Sequence, residues 1–431
     1  MQFKIFIFSK FLIYFILSIF YQSIKVFFSS ALDYISFHNK FKKDLIKVKK
    51  IWKKNLDYNS NNSYMVTEVF DDSSLYAYTL LTHAKKIERI KKIPIIVFDK
   101  NFSFIKNKFY QVFEVRNIIH INSFFFSFFI ILKKLPLLFK EFCKIEKIQS
   151  CQDLSYKFED IELSNIAYDD HLRFKIKGTV KNLNELKFFI FKSLLMSIKI
   201  KYVFDQKKIK YFAGGENQFT PRANLTQYFL KKECICYMHV GRVNLSSVRK
   251  YKKFSQRSIP RNYINKRFYL YSLSKKNNFL NKSKEILDKK FQSIFHKNEN
   301  LIDAKYVFSK NQKKPSKVEL YKKLNFDEKK KLIVVFSHNV YDGVFAIRRK
   351  LFIDNYVWLE ETLNLLSYNN NINVLVKKHP TEFLIEKIKD MSLNILEEIP
   401  EQNKLNIRFY PEDLSPNFIK ENADCIVTGH G

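Results

Sequence analysis

The sequence predicts an α/β protein: two parallel-sheet domains behind an N-terminal hydrophobic helix. Three observations predict it. From Tyr64 to Val240, apolar runs of strand length alternate with amphipathic segments of helix length, which is the pattern of βαβ units. The same alternation restarts at Lys330, after a polar stretch rich in Lys, Asn and Ser. A length of 431 residues exceeds what one ordinary core holds. The divisions expected are 1–58 (an N-terminal helical region), 59–249 (a first Rossmann-like domain), 250–329 (a helical connector) and 330–431 (a second Rossmann-like domain).

The N-terminus is dense in Phe, Ile and Leu, but its uncharged run from Phe11 to Ile24 is 14 residues, short of the roughly 20 needed to cross a bilayer as a helix. Lys4, Lys10 and Lys25 flank it, a layout shared with signal peptides, yet Ser29-Ser30-Ala31 is a poor cleavage site. The expectation is a helix lying in the membrane interface or packed on the first domain, with a single anchor as the alternative. A second apolar run, Ser123 to Leu132, reads as a buried core helix.

In the first domain Tyr64 to Phe70 reads as a strand, Asp71 to Ser74 as a cap, Leu75 to Ile90 as a helix and Ile93 to Asp99 as a buried strand. Lys187 to Lys201 (helix), Lys210 to Gly215 (strand and turn), Pro221 to Lys232 (helix) and Cys234 to Val240 (strand) follow. In the second domain Leu332 to Phe336, Ile372 to Lys378, Ile407 to Tyr410 and Ala423 to Thr428 read as strands. The helices between them are Asn355 to Tyr368, Phe383 to Met391 and Ser415 to Asn422. A parallel sheet does not end on a glycine turn, so Gly429-His430-Gly431 reads as the point where the second domain is cut short.

The chain carries 76 Lys+Arg against 42 Asp+Glu, formally +34, a field that attracts polyanions. Much of this is residue usage typical of an AT-rich genome, with Lys, Ile, Asn and Phe abundant and only 7 Gly. The remainder points to an anionic membrane surface, because the lysines are interleaved with long apolar stretches. No zinc finger or aromatic RNA-binding pattern is present, so nucleic acid is not an expected partner. The five cysteines are scattered, and Cys234-x-Cys236 fits neither a redox pair nor a zinc knuckle, consistent with a reducing cytoplasm. The nine histidines lack metalloenzyme spacing; no metal or cofactor is expected.

The chemistry is expected at strand ends, where open α/β sheets bind their ligands. Val376-Lys377-Lys378-His379-Pro380-Thr381-Glu382 leaves one strand, Ser337-His338-Asn339 another, Thr428-Gly429-His430-Gly431 a third, and Tyr410-Pro411-Glu412-Asp413 a fourth. Such loops offer backbone N–H groups and cations to phosphate. The substrate-binding set read here is Ser337, His338, Lys378, His379, Pro380, Glu412, Thr428, Gly429 and Gly431, with Arg222 from the first domain. A base on an acceptor hydroxyl is sought in the first domain: Glu216, after a Gly-Gly turn, ranks first, then Asp169, with Asp170 and Asp72 behind them.

These residues carry a resemblance. The succession Ser337-His338, Asp354, Trp358-Leu359, Val376 to Pro380, Pro411-Glu412-Asp413, Ala423-Asp424 and Thr428 to Gly431 resembles the donor-binding domain of GT-B glycosyltransferases of bacterial capsule and lipopolysaccharide synthesis, including Kdo-transferase-like and sialyltransferase-like groups. It covers Lys330 to Gly431. More loosely, Ile166 to Arg173 resembles a loop these proteins carry before a helical stretch, and Gly214-Gly215-Glu216 with Thr220 to Ala223 resembles their acceptor-side strand end. The resemblance implies a GT-B fold, metal-independent transfer from a nucleotide-sugar donor to a lipid-linked or polysaccharide acceptor, and a peripheral place at the inner face of the cell membrane. A glycerophosphotransferase using a CDP-linked donor, a non-enzymatic basic nucleic-acid- or membrane-binding protein, and an inactive fragment stand as alternatives.

Overall fold

A computed structural model describes residues 7–17, 46, 49–52, 58, 63–258 apart from 71–73, 100–103, 122–123, 216 and 241–246, then 278, 281, 284–285, and 315–429 apart from 340–342, 346–350, 380–381, 383–405, 412–413 and 416. The expected cap at Asp71 to Ser73, most of the connector and the helix at Phe383 to Met391 lie outside the described residues. The chain forms two compact units: Met1–His171, Val180–Arg261 and Phe345–Arg348 make the first, and Leu172–Thr179, Asn262–Val344 and Arg349–Gly431 the second. Both are mixed α/β with mainly parallel sheets.

The first unit holds six strands: β1 (Tyr64–Val69), β2 (Ile95–Asp99), β3 (Asn117–His120), β4 (Ile209–Gly214), β5 (Ile235–Val240) and β6 (Ser247–Tyr251), in the spatial order β3-β2-β1-β4-β5-β6. All pairings are parallel except β5 with β6. Parallel neighbours need crossovers. The helices present between these strands are α1 (Ser74–Lys91), α2 (Phe104–Val112), α3 (Phe124–Lys133), α4 (Leu135–Glu146), α5 (Leu163–Lys175), α6 (Leu183–Phe204) and α7 (Arg222–Lys231). Met65, Val69, Ile95 and Val97, all at most 4% exposed, pack with Ala77, Leu81 and Ala84 of α1 and Phe109 and Phe113 of α2. The chain leaves β1 toward β2 and β3 on one side, and β4 and β5 lie on the other. The switch of direction between β1 and β4 is where open sheets form a crevice.

Three expectations are corrected in this unit. Ile166 to Arg173 is not a loop but the middle of α5, where Leu163, Ile166 and Ala167 recur at helical spacing and are all at most 3% exposed. Within the apolar run at Ser123 to Leu132, Phe124 onward forms α3, but it is not buried throughout. Ile130 and Ile131 face inward, while Phe128, Phe129 and Leu132 are 43%, 59% and 51% exposed, since a helix apolar on every side can bury only the face its neighbours α4 and α6 cover. Residues 250–251, expected in a helical connector, belong to the edge strand β6.

Residues 7–17 form a helix packed on this unit. Phe11 meets Phe139 and Phe142 of α4 and Phe191 of α6, with ring centroids 5.4–5.7 Å apart. Tyr14 Oη donates to Asn184 O at 2.9 Å, and Lys10 pairs with Glu146 at 2.8 Å. No helix among the described residues is long and apolar enough to cross a membrane.

The second unit contains α8 (Lys317–Leu324), β7 (Lys331–Phe336), α9 (Asn355–Ser367), β8 (Ile372–Lys377), β9 (Ile407–Phe409), α10 (Asn417–Asn422) and β10 (Cys425–Thr428), with strand order β10-β7-β8-β9, all parallel. One face of the sheet, through Leu332, Val334 and Leu375, packs on Leu320 and Tyr321 of α8 and Phe418 and Ile419 of α10. The other, through Val335, Val374 and Val376, packs on Tyr356, Leu359 and Leu363 of α9. Each such fully buried aliphatic side chain contributes about 1.5–3 kcal/mol. Capping fixes the helix starts: Ser316 and Glu319 form a reciprocal capping box on α8, and Asp354 Oδ1 accepts from Val357 N at 2.8 Å on α9.

Candidate functional site

The strands of the second unit end level with one another. Thr428 is paired with Phe336, and Phe336 with Lys377, so the loops after β10, β7 and β8 leave adjacent positions on one edge. Ser337, 5% exposed, ties two of them together. Its N–H donates to Lys377 O at 2.9 Å. Its Oγ accepts from His379 N at 2.7 Å and donates to Glu382 Oε1 at 3.4 Å. Glu382 N in turn donates to His379 O at 2.9 Å. This brace sets the imidazoles of His338 and His379 side by side, centroids 6.2 Å apart. Asn355, at the start of α9, places Nδ2 2.9 Å from His338 Nδ1 and donates to Asn339 O at 3.0 Å. His338 Nδ1 also lies 3.2 Å from Asn339 O, so the ring is held between the Asn355 amide and this carbonyl.

Two lysines flank the histidines. Lys377 Nζ lies 4.3 Å from the Tyr410 ring centroid and Lys378 Nζ 5.1 Å from that of Phe409. Burial lowers the Lys377 ammonium from 10.5 to about 8. Gly429 passes against Trp358: a Cβ there would sit 3.0 Å from Cε3, so the glycine is what lets this backbone approach the indole. These strand ends thus carry two imidazoles, two lysines and glycine-bearing backbone. Among the described residues no three His, Cys, Asp or Glu side chains converge to hold a metal ion.

Of the residues expected from sequence, Ser337, His338, Lys378, His379, Thr428 and Gly429 are thus placed on three neighbouring strand ends. Pro380, Glu412, Gly431 and Glu216, the first-ranked candidate base, lie outside the described residues. Sequence reasoning missed Lys377, Asn355 and Glu382 as parts of the site. Lys377 and Glu382 stood inside the motif, but only the fold shows where each is placed. Asn355 carried no signal beyond its place after a capping aspartate.

The first unit has its own polar edge at the switch between β1 and β4. Glu68 is fully buried on β1. It accepts from Phe70 N at 3.0 Å, Gly215 N at 3.0 Å and Arg222 Nε at 3.1 Å. Arg222, expected to meet an anionic ligand, is therefore paired with Glu68, and its guanidinium lies 5.2 Å from the Tyr76 ring centroid. Gly215 is required beneath Tyr76, whose Oη a Cβ would approach to 1.7 Å. His239, at the end of β5, stands 5.6 Å from Tyr76 and 5.4 Å from His83. Burial first, then the neighbouring His239 and Lys86, lower the pKa of His83. Asp169 is 1% exposed and accepts from Phe345 N at 3.1 and 3.3 Å, while Asp170 Oδ1 accepts from Thr220 N at 3.0 Å, bracing the loop that leads to Arg222.

Fold and edges together define a mixed α/β protein whose second sheet ends in an edge bearing His338, His379, Lys377 and Lys378. No protein-family model matches the chain, and no curated protein matches it. Among solved structures it is similar to the UDP-N-acetylglucosamine 2-epimerase from Rickettsia bellii, at 11% identity over 85% of this chain and 73% of that one, with a TM-score of 0.23.

Proposed function

We propose that the chain is a glycosyltransferase that takes a sugar from a nucleotide donor bound at the C-terminal edge of the second unit and passes it to a bacterial surface polysaccharide or its lipid-linked precursor. One observation carries this: Ser337 joins the turns after β7 and β8, setting His338 and His379 beside Lys377 and Lys378 on one sheet edge. In the transfer, these side chains stabilise charge gathering on the leaving diphosphate. Glu216 is the proposed base on the acceptor hydroxyl; Asp169, 1% exposed and accepting from Phe345 N, is the poorer candidate. Calorimetric titration of the full chain with UDP and with CMP tests the donor half. His379→Ala and Ser337→Ala should each weaken binding of the preferred nucleotide at least about tenfold, or about 1.4 kcal/mol; wild-type affinity in both variants would refute the assignment.

The first unit is proposed to rest on an anionic bilayer at the inner face of the membrane. The helix over residues 7–17 buries Phe11 and Tyr14 but leaves Phe8, Leu12, Ile13, Ile16 and Leu17 40–55% exposed. Phe128, Phe129 and Leu132 of α3 form a second apolar face, and both helices pack on α4 and α6. With a net charge of +34, insertion of apolar side chains and attraction to acidic headgroups act together.

A further inference from the structure

We propose that Lys377 is the cation that meets the ligand's phosphate at this edge, seated between the Tyr410 ring and the bound anion, and that binding fixes a proton on it. The proposal rests on the donor site above and adds a residue and a coupling to it.

Strand alternation puts Lys377 on the same face as Leu375, the face that packs on Tyr410, Leu414 and Phe418. Lys377 ends the strand, so its side chain tops that core at the ligand edge. Its Nζ rests over Tyr410 at 4.3 Å, and Tyr410 is itself anchored, its Oη donating to Ser415 O at 2.5 Å. Burial raises the phenol's pKa, so it stays neutral. The other ionisable groups around the edge are Lys378 over Phe409, His379 and His338 beside each other, Glu382 held by Ser337, and Arg408, whose Nε donates to Leu324 O at 3.1 Å.

Among the described residues no carboxylate stands within ion-pair distance of Lys377. That separates the half-buried Lys377 from other sheltered cations here: Lys106 has Asp99 at 3.2 Å, Lys187 has Glu146 at 3.7 Å, Arg222 has Glu68, and Lys85 has Glu88. Lys199 is more deeply buried and is also lowered to about 8, but it sits within the helix α6 and not at the end of a strand. A partly desolvated ammonium over an aromatic face is costly, and an anion arriving opposite the ring removes that cost.

The sign is fixed by linkage. The folded pKa of about 8 lies below the ordinary 10.5, so the unfolded chain binds more protons between these values and stability from this group rises with pH across that window. The charged lysine is therefore a burden on the empty fold at neutral pH. Ligand affinity runs the other way: it is greatest below about pH 8 and falls as Lys377 loses its proton.

The test titrates the full chain with inorganic pyrophosphate and UDP at about pH 7 and about pH 9.5, values that bracket the shifted lysine. Wild type should lose about tenfold or more in affinity at the higher pH. Lys377→Arg, charged at both, should show little loss. Lys377→Met should bind about tenfold or more weakly at pH 7 yet melt at a higher temperature than wild type, a pairing that a merely structural lysine would not give. Equal binding by Lys377→Met and wild type, or an unchanged pH loss in Lys377→Arg, overturns the proposal while the donor site stands. Failure of wild type to bind either ligand at pH 7 overturns both.

Discussion

Glu68 shows how one residue can organise an edge. It interrupts an apolar strand, is fully buried, and takes three hydrogen bonds, from Phe70, Gly215 and Arg222. Removing it strands a guanidinium and two buried N–H groups, so Glu68→Ala should cost about 3–5 kcal/mol, read as a lower midpoint in urea unfolding. A loss under about 1 kcal/mol would mean the pair is not formed. Nothing in the sequence marked Glu68, because a lone acid in a strand reads as an outward-facing residue until its neighbours are known. Arg222 was legible as a polar residue at a helix start, but its partner lies 154 residues away. Lys377, by contrast, stood inside a conspicuous motif. What was hidden was its seat over Tyr410, since alternation assigns a face but not what waits there.

At the scale of elements, the strands were legible and the helices less so. Val66, Val97, Val334 and Val376 lie in short β-branched runs bounded by polar turns, and the strands observed follow those runs closely. β3 and β6 were not legible: Asn117–His120 is only four residues long, and Ser247–Tyr251 is polar because it is an edge strand. The capping box at Ser316 to Glu319 was a readable helix start inside a stretch taken as connector. α3 failed for a different reason. Periodicity cannot choose the buried face of a helix that is apolar all round, and the exposed Phe128 and Phe129 appear only once α4 and α6 are in place. Those faces carry a prediction. Phe128→Asp with Phe129→Asp, or Ile13→Asp with Leu17→Asp, should sharply reduce co-flotation of the full chain with phosphatidylserine-containing vesicles. Thermal melting should fall far less than flotation, because these side chains are already 43–59% exposed. Undiminished flotation would show that the bilayer meets another surface.

For the molecule as a whole, the division of labour follows from the two sheets. The first carries a polar edge stabilised by an internal ion pair, Glu68 with Arg222; the second carries an edge where Lys377 has no such partner among the described residues. An internal pair leaves little field for a ligand, whereas unbalanced cations at a strand end attract one. The anion is therefore expected at the second unit, although the charge of +34 alone would allow it anywhere. Hydrogen–deuterium exchange of the full chain, with and without saturating nucleotide, locates it most directly. The account predicts slowed exchange at residues 337–339, 378–379 and 428–429, with the β1–β4 edge around Gly215 unchanged. Protection confined to the first unit, with those three loops unaffected, would contradict it.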